Sequence, residues 1–166
     1  LTFALREALY GLDAISGVAR AYVELGDPDR AAPYVDKLGP SNTPAMWAMG
    51  ELLVKKGRGA EALKYLEPAA AAGSPPSIGI ALLSVAYAQS AQLEQATTAA
   101  RVAVQRAGGT AGVYDMASKA MIIAQRPIEA RAYLQQALLL DPTSETIRHA
   151  LEALDTALAN AKKRAQ

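Results

Sequence analysis

Cysteine is absent from the 166 residues, which excludes disulfide frameworks and thiolate metal sites and leaves reducing and oxidising compartments equally open. Histidine occurs once, as His149. A single His without Cys cannot make the usual zinc ligand set, and no metal or cofactor is expected. One Phe and one Trp leave little of the aromatic content that strands favour, so no strand is expected. Charge of either sign is not in excess: 17 Lys+Arg stand against 16 Asp+Glu, a net charge of +1. That is far from the basic balance of a nucleic-acid binder, and no nucleic-acid partner is expected. The longest apolar run, around Ile78 to Ala88, is too short and too interrupted by Ser84 and Tyr87 to insert in a membrane. No signal peptide is expected among the residues before it, and an anchor or export signal could lie ahead of Leu1. The chain starts at Leu1 rather than Met, from which it is expected to be the C-terminal part of a longer protein, periplasmic, envelope-bound or cytoplasmic.

What is present favours helix. Alanine occurs 37 times and apolar residues make up 51% of the chain, enough for a real core in one domain or a short repeat array. Turn signals recur at Gly26-Asp27-Pro28, Gly39-Pro40-Ser41-Asn42-Thr43-Pro44, Gly57-Arg58-Gly59, Gly73-Ser74-Pro75-Pro76, Gly108-Gly109-Thr110 and Asp141-Pro142-Thr143. Asp27 and Thr43 directly precede Pro28 and Pro44, the arrangement of a side-chain N-cap followed by proline at the first helical position. The intervening segments are too short to be stable alone and suit antiparallel pairs that bury one another. About ten helices fit, which points to repetition.

Laid on itself at a period of 34, the chain aligns Gly50, Ser84 and Ser118 in one column, Ala62, Ala96 and Ala130 in a second, and Ala69, Ala103 and Ala137 in a third. Small residues are about a third of the chain, so nine such matches arise by chance about once in ten thousand trials, before allowing for the choice of period. Large residues keep the same register: Met46, Ile80 and Tyr114, then Leu53, Tyr87 and Met121. Small columns are where helices cross closely, and large ones fill the space beside each crossing.

These columns resemble the tetratricopeptide repeat, a 34-residue helix pair. Residues 43–76 offer Met46, Met49-Gly50, Leu53, Ala62, Leu66 and Ala69; residues 77–110 offer Ile80, Leu83-Ser84, Tyr87, Ala96, Ala100 and Ala103; residues 111–144 close on Leu140-Asp141-Pro142. No repeat keeps the family's first tryptophan, and the aromatic of its second helix is replaced by Leu66, Ala100 and Leu134, which implies closer helix packing, most of all at Ala100. A shorter repeat spans 12–42, with Ile15, Ala19, Tyr22, Gly26 and Ala31 in the corresponding slots and its second helix over 28–38. Residues 1–10 are expected to be the second helix of a partial repeat. The resemblance implies an all-α fold, a right-handed superhelical array of antiparallel helix pairs.

Over 145–162, Ile147, Leu151, Leu154 and Leu158 form one apolar stripe. Arg148, Glu152 and Asp155 stand where a further repeat would need small or apolar residues, as expected of a terminal capping helix.

In this family the first helix of each pair lines a concave groove. The corresponding slots here are Asp13, Ser16, Arg20 and Val23; Pro44, Trp47, Glu51 and Val54; Ile78, Ala81, Val85 and Ala88; Gly112, Asp115, Lys119 and Ile122. The centre is apolar, and the Lys, Asn and Arg set of the family's carboxylate clamps is missing. The candidate partner-binding groove is therefore Arg20, Trp47, Glu51, Ile78, Ala81, Val85, Asp115, Lys119 and Ile122, with its floor centred on Ile78 and Val85. Helix 77–90 is apolar nearly all round, so something must cover its second face: a protein or peptide partner, a second copy, or further repeats.

No catalytic set is legible. His149 has no orienting partner in view, and Glu61, Glu67, Glu94, Glu129 and Glu145 are spread along the chain as solvated helix faces. Gly108-Gly109-Thr110-Ala111-Gly112 lacks the preceding strand and following Lys of a phosphate loop. Lys162-Lys163-Arg164 suits a helix C-terminus. The expected function is non-catalytic protein binding, as an adaptor in a bacterial assembly, secretion or export system. The alternatives are a substrate-recruiting or regulatory domain of a larger enzyme, or a self-association module.

Overall fold

The computed structural model describes residues 2–164, with side chains from Gly11 onward. Among the described residues there are nine helices and no strand: α1 (Thr2–Glu24), α2 (Pro28–Leu38), α3 (Thr43–Lys55), α4 (Gly59–Ala71), α5 (Ser77–Gln89), α6 (Leu93–Gln105), α7 (Ala111–Ile123), α8 (Pro127–Leu140) and α9 (Glu145–Arg164). The chain divides into two compact units, residues 1–74 and 75–166.

In the first unit α1 pairs with α2, α3 packs on both, and α4 pairs with α3. Asp27 caps α2 by accepting the Arg30 N–H at 3.1 Å. The second expected cap is displaced by one residue. Asn42 caps α3 through Oδ1, which accepts from Ala45 N–H at 3.2 Å, and Thr43 is already helical. Asn is the better cap, and Pro44 is tolerated anywhere in the first turn, where its missing N–H has no intrahelical partner. A second difference lies at the start of the chain. α1 runs unbroken through Gly11, because a lone glycine without a cap or proline beside it costs a helix only about 1 kcal/mol. The side chains of residues 1–10, on which a partial repeat would rest, lie outside the described residues.

In the second unit α5 pairs with α6, α7 packs on both, α8 pairs with α7, and α9 closes on α8. Ile147 is buried with Leu134 and Ala137, and Leu151 and Leu154 pack against that cluster. Asp155 is turned to α8, where Arg131 donates to it at 2.6 Å.

All nine small-column positions are buried. At Gly50 the close approach is explicit: a Cβ there would fall inside contact distance of Leu66 Cδ2 and Cγ. The hydroxyls of Ser84 and Ser118 are satisfied inside their own helices, donating to Ala81 O at 2.6 Å and Asp115 O at 2.7 Å. Burial of these small polar groups therefore leaves no orphan donor.

The hinge between the helices of each pair is a left-handed residue at Gly26 (φ 71°), Gly57 (φ 76°), Ala91 (φ 61°) and Gln125 (φ 57°). In each turn the next N–H reaches back five residues: Asp27 to Tyr22 O, Arg58 to Leu53 O, Gln92 to Tyr87 O and Arg126 to Met121 O, at 2.8–2.9 Å. This is the hydrogen-bond pattern of a Schellman C-cap. The glycines at 26 and 57 announce it in the sequence; Ala91 and Gln125 do not.

Candidate functional site

In each unit the first helices of the pairs carry the candidate residues. α7 presents Gly112, Asp115, Lys119 and Ile122 at 3-4-3 spacing, one row about 15 Å long. Ile78 on α5 lies at one end, with its Cδ1 close to Gly112, where a Cβ would meet it at 3.8 Å. Ile122 lies at the other. Ile78 is 39% and Ile122 44% exposed, so two large apolar side chains face solvent on either side of Asp115 and Lys119.

The expected floor is closed between them. Ala81 is 0% and Val85 5% exposed. Ala81 packs with Ile80, Ala103, Ala107 and Val113, so its small side chain belongs to the seam of α5, α6 and α7. The all-round apolar character of α5 is explained by burial: Gly79 through Ala86 and Ala88 are all enclosed. A residue's slot in the repeat gives the direction of its side chain, and the neighbouring helices decide whether that direction ends in solvent.

In the first unit, Trp47 and Glu51 are half-buried on α3 and Arg20 is exposed on α1. The structure brings Arg20 to a hollow of about 230 Å³ lined by Ser16, Ala19, Val23, Val35, Asn42, Pro44, Ala45 and Ala48. Trp47 and Glu51 are not part of that lining. Ala45 and Ala48, which open it, were legible only as small residues early in a helix.

The charged candidates are neutralised on their own helices. Arg20 approaches Glu24 at 3.7 Å, Lys55 meets Glu51 at 2.6 Å, and Lys119 meets Asp115 at 2.6 Å, each an i,i+4 pair. The second helices carry the cross-helix pairs. Arg58 donates across to Asp29 at 2.8 Å and Lys64 to Asp36 at 2.7 Å, while Arg58 also donates to Glu61 at 2.7 Å within the first turn of its own helix. The Arg58 hydrogen bonds hold Asp29 and Glu61 below the usual carboxylate range. Asp36 raises Lys64. His149 is exposed on α9. Among the described residues no group of three His, Asp or Glu is placed to hold a metal, and no helix is long and apolar enough to cross a membrane.

No protein-family model and no curated protein matches the sequence. Solved structures do. MamA 41-end from Desulfovibrio magneticus RS-1 is similar with a TM-score of 0.70 at 15% identity, over 93% of this chain and 89% of that one. TTC0263, a thermophilic TPR protein in Thermus thermophilus, gives 0.67 at 23% identity over 89% and 82%. The first TPR domain of the human RPAP3 protein gives 0.63 at 20% identity, over 75% of this chain and 98% of that domain. The fold is that of tetratricopeptide repeats, as the small and large columns imply.

Proposed function

We propose that this chain is a non-catalytic adaptor that holds an apolar segment of a partner protein against the α5–α7 face, with Ile78 and Ile122 as the two contacts. The observation that carries the reading is the exposure of both side chains on a face whose only charges, Asp115 and Lys119, already satisfy each other. Such a face rewards apolar contact and offers little to a charged ligand. Tetratricopeptide folds serve protein–protein interaction in general. The alanine-rich composition fits a high-GC bacterium, which supports a place in an assembly, secretion or export system. Arg20, Trp47 and Glu51 would supply a lesser contact on the first unit.

The test is recovery of a binding partner from the source cell with immobilised wild-type protein and with Ile78→Asp/Ile122→Asp. Both positions are exposed, so the variant should keep its helical circular dichroism, whereas a charge at the buried Val85 would unfold the unit and confuse the result. Loss of one specific protein from the variant's eluate is expected. Equal recovery by a folded variant would sink the proposal.

A further inference from the structure

The first unit keeps open a space that the second unit fills. Within the second unit α5 packs on α7 more extensively than α1 packs on α3 within the first. Residue size accounts for the difference. At the register position that carries Leu82 on α5 and Met116 on α7, α3 has Ala48, and Leu82 is buried where it stands. With only a methyl group at Ala48, a hollow of about 230 Å³ is left between α1 and α3.

The lining of this hollow divides by chemistry. Ala19 and Val35 form its floor, each 2% exposed, with Val23, Ala45 and Ala48 half-buried around them. The polar side chains on the rim offer a guest mainly donors. Arg20 is 79% exposed, and its Nε stands 3.7 Å from Glu24 Oε1, too far for a hydrogen bond, so its N–H groups remain available. Asn42 Oδ1 accepts the Ala45 N–H at 3.2 Å, and what that side chain has left for a guest is the Nδ2 amide. Ser16 adds a hydroxyl, and no Asp or Glu is among the lining residues. Donors above an apolar floor, with no carboxylate beside them, favour an anion that carries an apolar body. A dry cavity of roughly 150 Å³ takes a benzene-sized molecule, so 230 Å³ has room for one such ring and a carboxylate. The end of a protein chain would bring peptide N–H groups in with its carboxylate, and among the rim side chains only the Ser16 hydroxyl is a ready acceptor for them.

We infer that the hollow is a binding site for a small free monocarboxylic acid with a benzene-sized apolar body. The carboxylate meets Arg20 and Asn42, and the body rests on Ala19, Val35 and Ala48. The contact area is small and Arg20 is solvated, so the affinity is low, with a dissociation constant on the order of 1 mM.

Titration of phenylacetate into the isotope-labelled chain, followed through its amide chemical shifts, reads both the site and the affinity. Saturating shifts confined to the segments around Ser16–Val23 and Asn42–Ala48 are expected. Phenylacetamide, which keeps the ring and loses the charge, and acetate, which keeps the charge and loses the ring, should each bind at least about fivefold more weakly. Arg20→Gln should weaken phenylacetate binding about fivefold. Ala48→Leu, which restores the side chain of the following repeat, should abolish binding while the helical circular dichroism is kept. Absence of saturation up to about 20 mM overturns the proposal, as do shifts centred elsewhere, equal binding of acid and amide, or a folded Ala48→Leu that binds like the wild type. Tighter binding of a glycyl-glycyl-phenylalanine peptide than of phenylacetate would assign the hollow to the end of a protein chain and overturn the free acid as its occupant. None of these variants touches Ile78 or Ile122, so failure here leaves the α5–α7 reading to stand or fall on its own test.

Discussion

At the scale of single residues, repeats that share a register solve the same packing problem differently. Gly50 lies against Leu66, while the same two slots in the next repeat hold Ser84 and Ala100 and in the third Ser118 and Leu134. Gly50→Ala is expected to cost about 1–3 kcal/mol by overpacking against a Leu66 that is itself enclosed and cannot swing away. In Gly50→Ala/Leu66→Ala, which approaches the pairing of the second repeat, the combined loss should be smaller than the sum of the single losses; urea denaturation of the four proteins measures the coupling. Ala91 and Gln125 take the left-handed conformation without being glycine. Ala91→Gly should relieve more strain than it adds chain entropy, a net gain of about 0.5 kcal/mol that raises Tm by roughly 1–2 °C. Gly57→Ala, at the equivalent turn of the preceding repeat, should move Tm the other way.

At the scale of elements, α2 and α4 are linked by Arg58 to Asp29 and by Lys64 to Asp36. Asp29 and Glu61 have folded-state pKa values depressed by the Arg58 hydrogen bonds. A depressed carboxylate adds stability that is present above its unfolded pKa and is lost as pH falls through the folded one. Stability of the first unit should therefore decline below about pH 4. In Arg58→Ala that decline should be shallower, because the unfolded and folded carboxylates then titrate alike. Denaturation midpoints at a series of pH values provide the check. Lys64 behaves oppositely: its pKa is raised, so its contribution holds below the ordinary lysine value and fades as pH climbs through the raised one.

At the scale of the molecule, each unit contains its own helix pairs and buried columns, and charge is balanced twice over. The whole chain carries +1, and each charged candidate on the first helices is paired four residues away. Binding at the Ile78 and Ile122 face should then change less than about threefold between 50 mM and 500 mM salt, since screening acts on exposed charge and not on apolar contact. Isothermal titration with the recovered partner at both salt concentrations decides it; a loss of tenfold or more would show that a charged surface carries the binding.

The repeat was legible without coordinates because period and residue size are properties of the chain. Nine small positions at a spacing of 34 can lie at helix crossings only if the helices repeat, and all nine are buried. Asp27 as a cap was legible for a similar reason, its partner being three residues away. The turns at Ala91 and Gln125 were not, because neighbouring helices hold those residues in a conformation their own chemistry disfavours. Nor was the closing of the expected floor at Ala81 and Val85, since exposure depends on which residues arrive from elsewhere, here Ala103, Ala107 and Val113 against Ala81. Local spacing determined which residues share a face of a helix. Only the packing of one helix on the next decided which of those faces remain open to another protein.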